Sequence, residues 1–177
     1  MRPLIAAALI LAATPAFATL SVGAKAPDFT TKGAVAGKAI DVRLADQLKR
    51  GPVVLYFFPA AFTGGCNAEA HAFAEAVDDF RKAGATVIGM TAGNIDKLEA
   101  FSSEKCAGKF AVAAASPAVA TAYDVVLKKP DGSATGYTSR TSYVIGRNGK
   151  VAFVHSDMNP AEHVSTTLAA VRKLPAR

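Results

Sequence analysis

The chain has no tryptophan, two cysteines and three histidines, and no run of like charge. Each scarcity excludes something. His71, His155 and His163 share no metal-ligand spacing with one another or with the cysteines, so no bound metal is expected. The 20 basic residues outnumber the 14 acidic ones, but Lys49-Arg50, Arg81-Lys82, Lys128-Lys129 and Arg172-Lys173 are separate pairs near expected element ends. Nucleic-acid binding asks for one basic stripe or face, ideally with interleaved aromatics. The charge therefore reads as solvated surface, with no nucleic-acid partner. Repeats and low-complexity segments are missing as well. The apolar stretch from Leu4 to Ala13 is too short for a bilayer, which needs roughly 20 residues, so no membrane span is expected.

That stretch has a different meaning. Arg2 gives a short basic start, and Ala16-Phe17-Ala18 is a small-x-small cleavage site, with Pro15 breaking the apolar segment just before it. Residues 1–18 are expected to be a signal peptide, and residues 19–177 a single domain. Removing 18 of 177 residues leaves 159, enough for one sheet with both faces covered. The expected product is exported, to a bacterial periplasm. Two cysteines in that oxidising compartment could form a structural disulfide.

Periodicity then organises the chain. A short hairpin is expected around Gly33 to Val42, and a turn or two of helix over Leu44 to Lys49. Val53 to Phe58 is an unbroken apolar run, the mark of a buried strand. Asn67 to Lys82 carries Phe73, Ala76, Val77 and Phe80 at helical spacing, with Gly84 as its stop. Ala85 to Thr91 reads as a second buried strand. Asn94 to Cys106 reads as one helix capped by Asn94, and Phe110 to Ala115 as a weak strand. Pro117 to Tyr123 is a short helix, and Lys128 to Ser139 a loop. Ser142 to Ile145 and Val151 to His155 should pair around a type I′ turn at Asn148-Gly149. Pro160 to Lys173 is the last helix. Strand–helix alternation of this kind predicts an α/β fold, a central mixed sheet with helices on both faces.

Between the first buried strand and its helix stand Pro59-Ala60-Ala61-Phe62-Thr63-Gly64-Gly65-Cys66. A cysteine there falls in a helix's first turn, where free backbone N–H groups and the positive dipole end favour a thiolate. The Pro-x-x-x-Thr-x-x-Cys spacing, Glu69 three residues on, and Arg140 opening a later strand together resemble the peroxiredoxin family. Ala26-Pro27-Asp28-Phe29 is similar to the start of its domains. The resemblance runs from about Val22 to Val171 and is nearest to the bacterioferritin-comigratory, or Q, branch. It implies a thioredoxin-like fold with peroxiredoxin-type N-terminal additions. It also implies a thiol-dependent peroxidase with no cofactor, acting on hydrogen peroxide and small organic hydroperoxides. A thioredoxin-like dithiol protein would be the reductant, and the enzyme a monomer or weak dimer.

Peroxide reduction constrains the roles. Lowering a thiol's pKa from about 8.5 to about 6 raises the thiolate fraction at pH 7 roughly thirty-fold. With a Brønsted slope near 0.5, about fifteen- to twenty-fold is lost again in nucleophilicity. Charge stabilisation in the transition state must therefore carry the rate. With Cys66 as the peroxidatic nucleophile, Arg140 could donate to thiolate and peroxide through its planar fork, or be an ordinary strand-end arginine. The Thr63 hydroxyl could hold peroxide or thiolate, Pro59 could stiffen the loop and shield the sulfur, and both also suit a helix entry. Gly64 and Gly65 allow a close backbone approach. Glu69 could orient Arg140, or be a solvated helix carboxylate.

Where many Q-branch members carry a second cysteine, five residues after the first, this chain has His71. Cys106 is the remaining candidate for a resolving thiol, or is a half-buried bystander. Thirteen helical residues span roughly 20 Å, and bridged Cα atoms lie within about 7 Å, so a Cys66–Cys106 bond would need local unfolding. Two other readings are a disulfide oxidoreductase and a copper-binding module on the same fold. The first would need cysteine at Glu69, and the second at Ala70.

Overall fold

The strongest apolar run in the chain forms the middle of a seven-stranded sheet. A computed structural model describes residues 19–175; the expected signal peptide, residues 1–18, lies outside the described residues. The strands are β1 (Thr30–Val35), β2 (Lys38–Arg43), β3 (Val53–Phe57), β4 (Thr86–Thr91), β5 (Ala111–Ala114), β6 (Val126–Lys128), β7 (Ala134–Thr138), β8 (Thr141–Ile145) and β9 (Val151–Ser156). The helices are α1 (Leu44–Arg50), α2 (Gly64–Lys82), α3 (Leu98–Glu104), α4 (Pro117–Ala122) and α5 (His163–Arg172), with 3-10 turns at Ile95–Lys97 and Pro160–Glu162. The main sheet runs β2-β1-β5-β4-β3-β8-β9, and β6 and β7 form a separate two-stranded ribbon.

β3 pairs parallel with β4 and antiparallel with β8, so the sheet is mixed. All five β3 residues are buried because both faces are covered. Period-two alternation divides them. Val54 and Tyr56 join Phe73, Val77 and Phe80 of α2 on one face. Val53, Leu55 and Phe57 join Leu44 of α1, Ala120 of α4 and Tyr123 on the other. Burying each of these large side chains contributes about 1.5–3 kcal/mol. The β1–β2 hairpin extends the sheet beyond β5 as an N-terminal addition. Among the described residues no helix is long and apolar enough to cross a membrane.

Four local expectations are corrected. The single helix over Asn94 to Cys106 is a 3-10 turn followed by a shorter α3, and Asn94 does not cap it. Its φ is +54°, and its side chain instead donates to the Ala61 carbonyl at 2.8 Å. At the other end, Ala107 and Gly108 turn left-handed, and Gly108 N–H bonds Ser102 O at 2.9 Å, closing the helix. The loop expected over Lys128 to Ser139 contains β7, paired with β6. Three exposed-to-half-buried residues in β6 are too few to show a period-two pattern. At Asn148-Gly149 only the glycine takes positive φ, +73°. A type I′ turn needs both; the hairpin closes instead with a register shift between Val144 and Ile145.

Candidate active site

Six residues, Phe58 to Thr63, carry the chain from the end of β3 to the start of α2. Their carbonyls are held from outside. Thr91 Oγ1 donates to Pro59 O (2.9 Å), and Ala61 O takes the bond from Asn94 described above. Thr138 Oγ1, from β7, holds the preceding Phe58 O at 2.7 Å. Phe62 has φ +62°, a conformation that is strained for a bulky residue. Its ring packs edge-on against Phe101 (5.4 Å), with Lys105 Nζ 5.7 Å from its centroid, and this packing holds the strained turn in place.

α2 begins at Gly64, earlier than the apolar stripe predicts, because the stripe starts only at residues that face the core. Thr63 occupies the N-cap position with an extended backbone. Its hydroxyl does not cap the helix, however; it donates back to Ala60 O at 3.0 Å. The helical ladder opens with Asn67 N–H to Thr63 O. The N–H groups of Gly64, Gly65 and Cys66 stand ahead of that first bond, at the positive end of the helix. Cys66 is 1% exposed.

Arg140, in the link between β7 and β8, closes over this helix start. Its Nη2 donates to Cys66 Sγ at 3.6 Å and its Nη1 to Glu69 Oε2, while its Nε donates to Met158 O at 2.9 Å. Gly65 makes the approach possible, since a Cβ there would sit 3.2 Å from Nη2. Glu69 falls one turn after Cys66 on the same helix face. It is buried rather than solvated, which excludes the surface-carboxylate reading. Arg140 is buried too, and so is not an ordinary strand-end arginine. Burial pushes the Glu69 carboxyl up to about 7, against the pull of the Arg140 charge and hydrogen bond.

The expected residues therefore divide. Arg140 contacts both Cys66 and Glu69. Thr63 and Pro59 shape the loop that presents Cys66. Cys106 is apart from them: it follows α3, precedes β5, and is fully buried among apolar side chains. Both cysteines are free thiols. Burial pushes the Cys106 thiol well up, toward the unreactive neutral form. Sequence reasoning missed Met158, whose role is played by a main-chain carbonyl and leaves little sequence signal. It also missed His163, which is fully buried, with Nδ1 3.8 Å from Glu69 Oε1. Burial pushes the His163 imidazole down to about 4, so it is neutral near pH 7.

The family model described as the AhpC/TSA family matches residues 22–154. The chain belongs to that family. It is similar to chloroplastic peroxiredoxin Q of Sedum lineare, 29% identical over 159 residues, which cover 89% of this chain and 81% of that protein. Peroxiredoxin Q of Arabidopsis thaliana is 33% identical over 153 residues, covering 86% and 67% of the two chains. Among solved structures, the peroxidoxin BcpB of Mycobacterium tuberculosis superposes with a TM-score of 0.76 at 28% identity, covering 88% of this chain and 98% of that one. Xanthomonas campestris peroxiredoxin Q has the same fold, with a TM-score of 0.69 at 24% identity over 80% and 89% of the two chains. The family places the chain among the thiol-dependent peroxidases, on a thioredoxin-like fold.

Proposed function

We propose that Cys66 is the peroxidatic thiol, reducing hydrogen peroxide and small organic hydroperoxides. The observation that carries this reading is the Arg140 guanidinium, buried and aimed at Cys66 Sγ from 3.6 Å. The Cys66 thiolate attacks one peroxide oxygen, and an S–O bond forms as the O–O bond breaks. The departing alkoxide or hydroxide takes a proton to leave as alcohol or water, and Cys66 becomes a sulfenic acid. Arg140 stabilises the charge that grows on the departing oxygen, acting in a water-poor site where such stabilisation is strongest. Glu69 holds the guanidinium in place. The Thr63 hydroxyl, donating to Ala60 O, keeps lone pairs free to accept a hydrogen bond from the peroxide. Pro59 stiffens the loop.

A thiol of a thioredoxin-like protein then condenses with the sulfenic acid, releasing water and leaving a mixed disulfide. The partner's second thiol resolves that disulfide and regenerates Cys66. Cys106 as the resolving thiol is the second route. Its burial and the closed end of α3 require that helix end to open first. We also propose a leader cleaved after Ala18, a periplasmic location, one domain over residues 19–177, and a monomer or weak dimer.

Peroxide consumption by the reduced protein tests the central reading. Cys66→Ser should abolish it while the fold persists. Near wild-type turnover in that variant would end the assignment.

A further inference from the structure

Arg140 owes its aim to an exposed loop. Asp157 to Asn159 link β9 to the last helical segment, and Met158 in that loop is 50% exposed. Met158 nonetheless grips Arg140 twice: its carbonyl accepts Nε at 2.9 Å, and its sulfur faces the Arg140 backbone N–H at 3.4 Å. With Nη1 committed to Glu69, this grip on Nε leaves Nη2 for Cys66. An exposed three-residue loop is a poor clamp unless something ties it to the core.

His163 is that tie. It is the first residue of α5 and fully buried. Its Nε2 lies 2.9 Å from Asp157 O, and its Nδ1 lies 2.8 Å from Ser142 Oγ. A carbonyl can only accept, so Nε2 carries the proton and the neutral ring's Nδ1 accepts from the serine. Ser142 sits inside the sheet, paired with Tyr56 of β3 on one side and His155 of β9 on the other. Asp157, held by His163, immediately precedes Met158. Ser156, the last residue of β9, shares a hydroxyl hydrogen bond with Thr141 of β8 at 2.9 Å, but the bonds beyond it, Asn159 N–H to Asp157 Oδ1 and Ala161 N–H to Asn159 Oδ1, are local turns that do not reach the sheet.

We infer that His163 is a positioning residue. It braces the Asp157–Met158 loop against β8 and so fixes the carbonyl that aims Arg140 at Cys66. This inference rests on the reading of Cys66 and Arg140 given above. The brace requires a proton on Nε2 and fails in the tautomer protonated on Nδ1 alone. A misplacement near 1 Å at a reacting group can lower a rate by about 100-fold, so a loosened loop is enough to matter.

The test compares two substitutions in the first peroxide reaction of reduced protein. His163→Gln keeps a donor near the Nε2 position, toward Asp157 O. His163→Asn keeps only the contact toward Ser142. Asn is expected to lose roughly 10- to 100-fold in rate and Gln far less, although both variants lose thermal stability. Rates that fall equally, or that do not fall in either, would overturn the inference. Arg140→Lys added to His163→Asn should cost less than in wild type, since both act on one guanidinium; fully additive losses would also overturn it. Imidazole nitrogen shifts in the unaltered protein provide a readout that needs no variant. They should show a neutral ring protonated on Nε2, and an Nδ1-protonated ring would refute the brace. Cys66→Ser, run beside these, separates the two readings. If it still consumes peroxide, the active-site assignment fails, whatever His163 does.

Discussion

Arg140 and Cys66, 74 positions apart in the chain, meet with Nη2 3.6 Å from Sγ, and both side chains are buried. A planar fork serves three partners here, Glu69, Met158 O and Cys66, and a lysine ammonium cannot span the same arrangement. Arg140→Lys should therefore raise the barrier of the peroxide step by about 2–4 kcal/mol, as removal of an oxyanion donor does. Stopped-flow reaction of reduced enzyme with peroxide gives the value directly. Equal rates for lysine and arginine would show that the fork is unused.

Gly65 offers a way to disturb the guanidinium without removing it. A Cβ at this position stands 3.2 Å from Arg140 Nη2. Alanine is also the better helix former, by up to about 1 kcal/mol. Gly65→Ala should melt at or slightly above the wild-type temperature and yet react several-fold more slowly with peroxide. An unchanged rate would mean that Nη2 tolerates displacement.

Two buried groups should pull the pH dependence of stability in opposite directions. Glu69 rises from 4.5 unfolded to about 7 folded. The native state thus holds its proton more tightly, and stability from this group is lost as pH rises from 4.5 to 7. His163 falls from 6.5 to about 4. Its contribution is fully present above pH 6.5 and is lost as pH falls toward 4. Each effect is on the order of 3 kcal/mol across its window, and they oppose between pH 4.5 and 6.5. Relative to wild type, Glu69→Gln should become more stable with rising pH there, and His163→Gln less. Denaturant melts across pH 4–7 decide it; parallel curves for both variants would contradict the assignment.

Cys106 is the position where mass spectrometry decides the route. Buried and far up in pKa, it should remain a free thiol after one equivalent of peroxide, with Cys66 trapped as sulfenic acid or as an adduct with an external thiol. An intramolecular Cys66–Cys106 disulfide would show instead that the end of α3 opens during turnover. It should then come with loosened structure near residues 62–70 and 100–110.

The parts of this molecule that announce themselves in sequence are those where one local rule acts without competition. Val53 to Phe58 reads as a strand because both faces are covered, and α2 shows its stripe because one face packs on the sheet. The eight residues that end at Cys66 are legible because loop, helix start and thiol lie side by side. Asn94 misled because its side chain serves a distant carbonyl, Ala61 O, rather than its own helix. Thr63 likewise turns its hydroxyl back to Ala60 O. The ribbon of β6 and β7 is too short and exposed to leave a pattern. Met158 leaves little signal, since the carbonyl that holds Arg140 Nε could come from any residue and only its sulfur contact depends on the side chain. His163 carried no spacing clue, because its partners, Ser142 and Asp157, come from a strand and a turn.

The near-complete burial of the Arg140–Glu69 pair, 5% and 0% exposed by side chain, has a bearing on ionic strength. Counter-ions screen charges that water reaches and act far less on those it does not. An uncharged hydroperoxide meeting this site gives salt little to act upon. Docking of a protein reductant on the surrounding surface is open to screening. A salt titration would then separate the two halves of the cycle, with the oxidative half flat and the reductive half sloping.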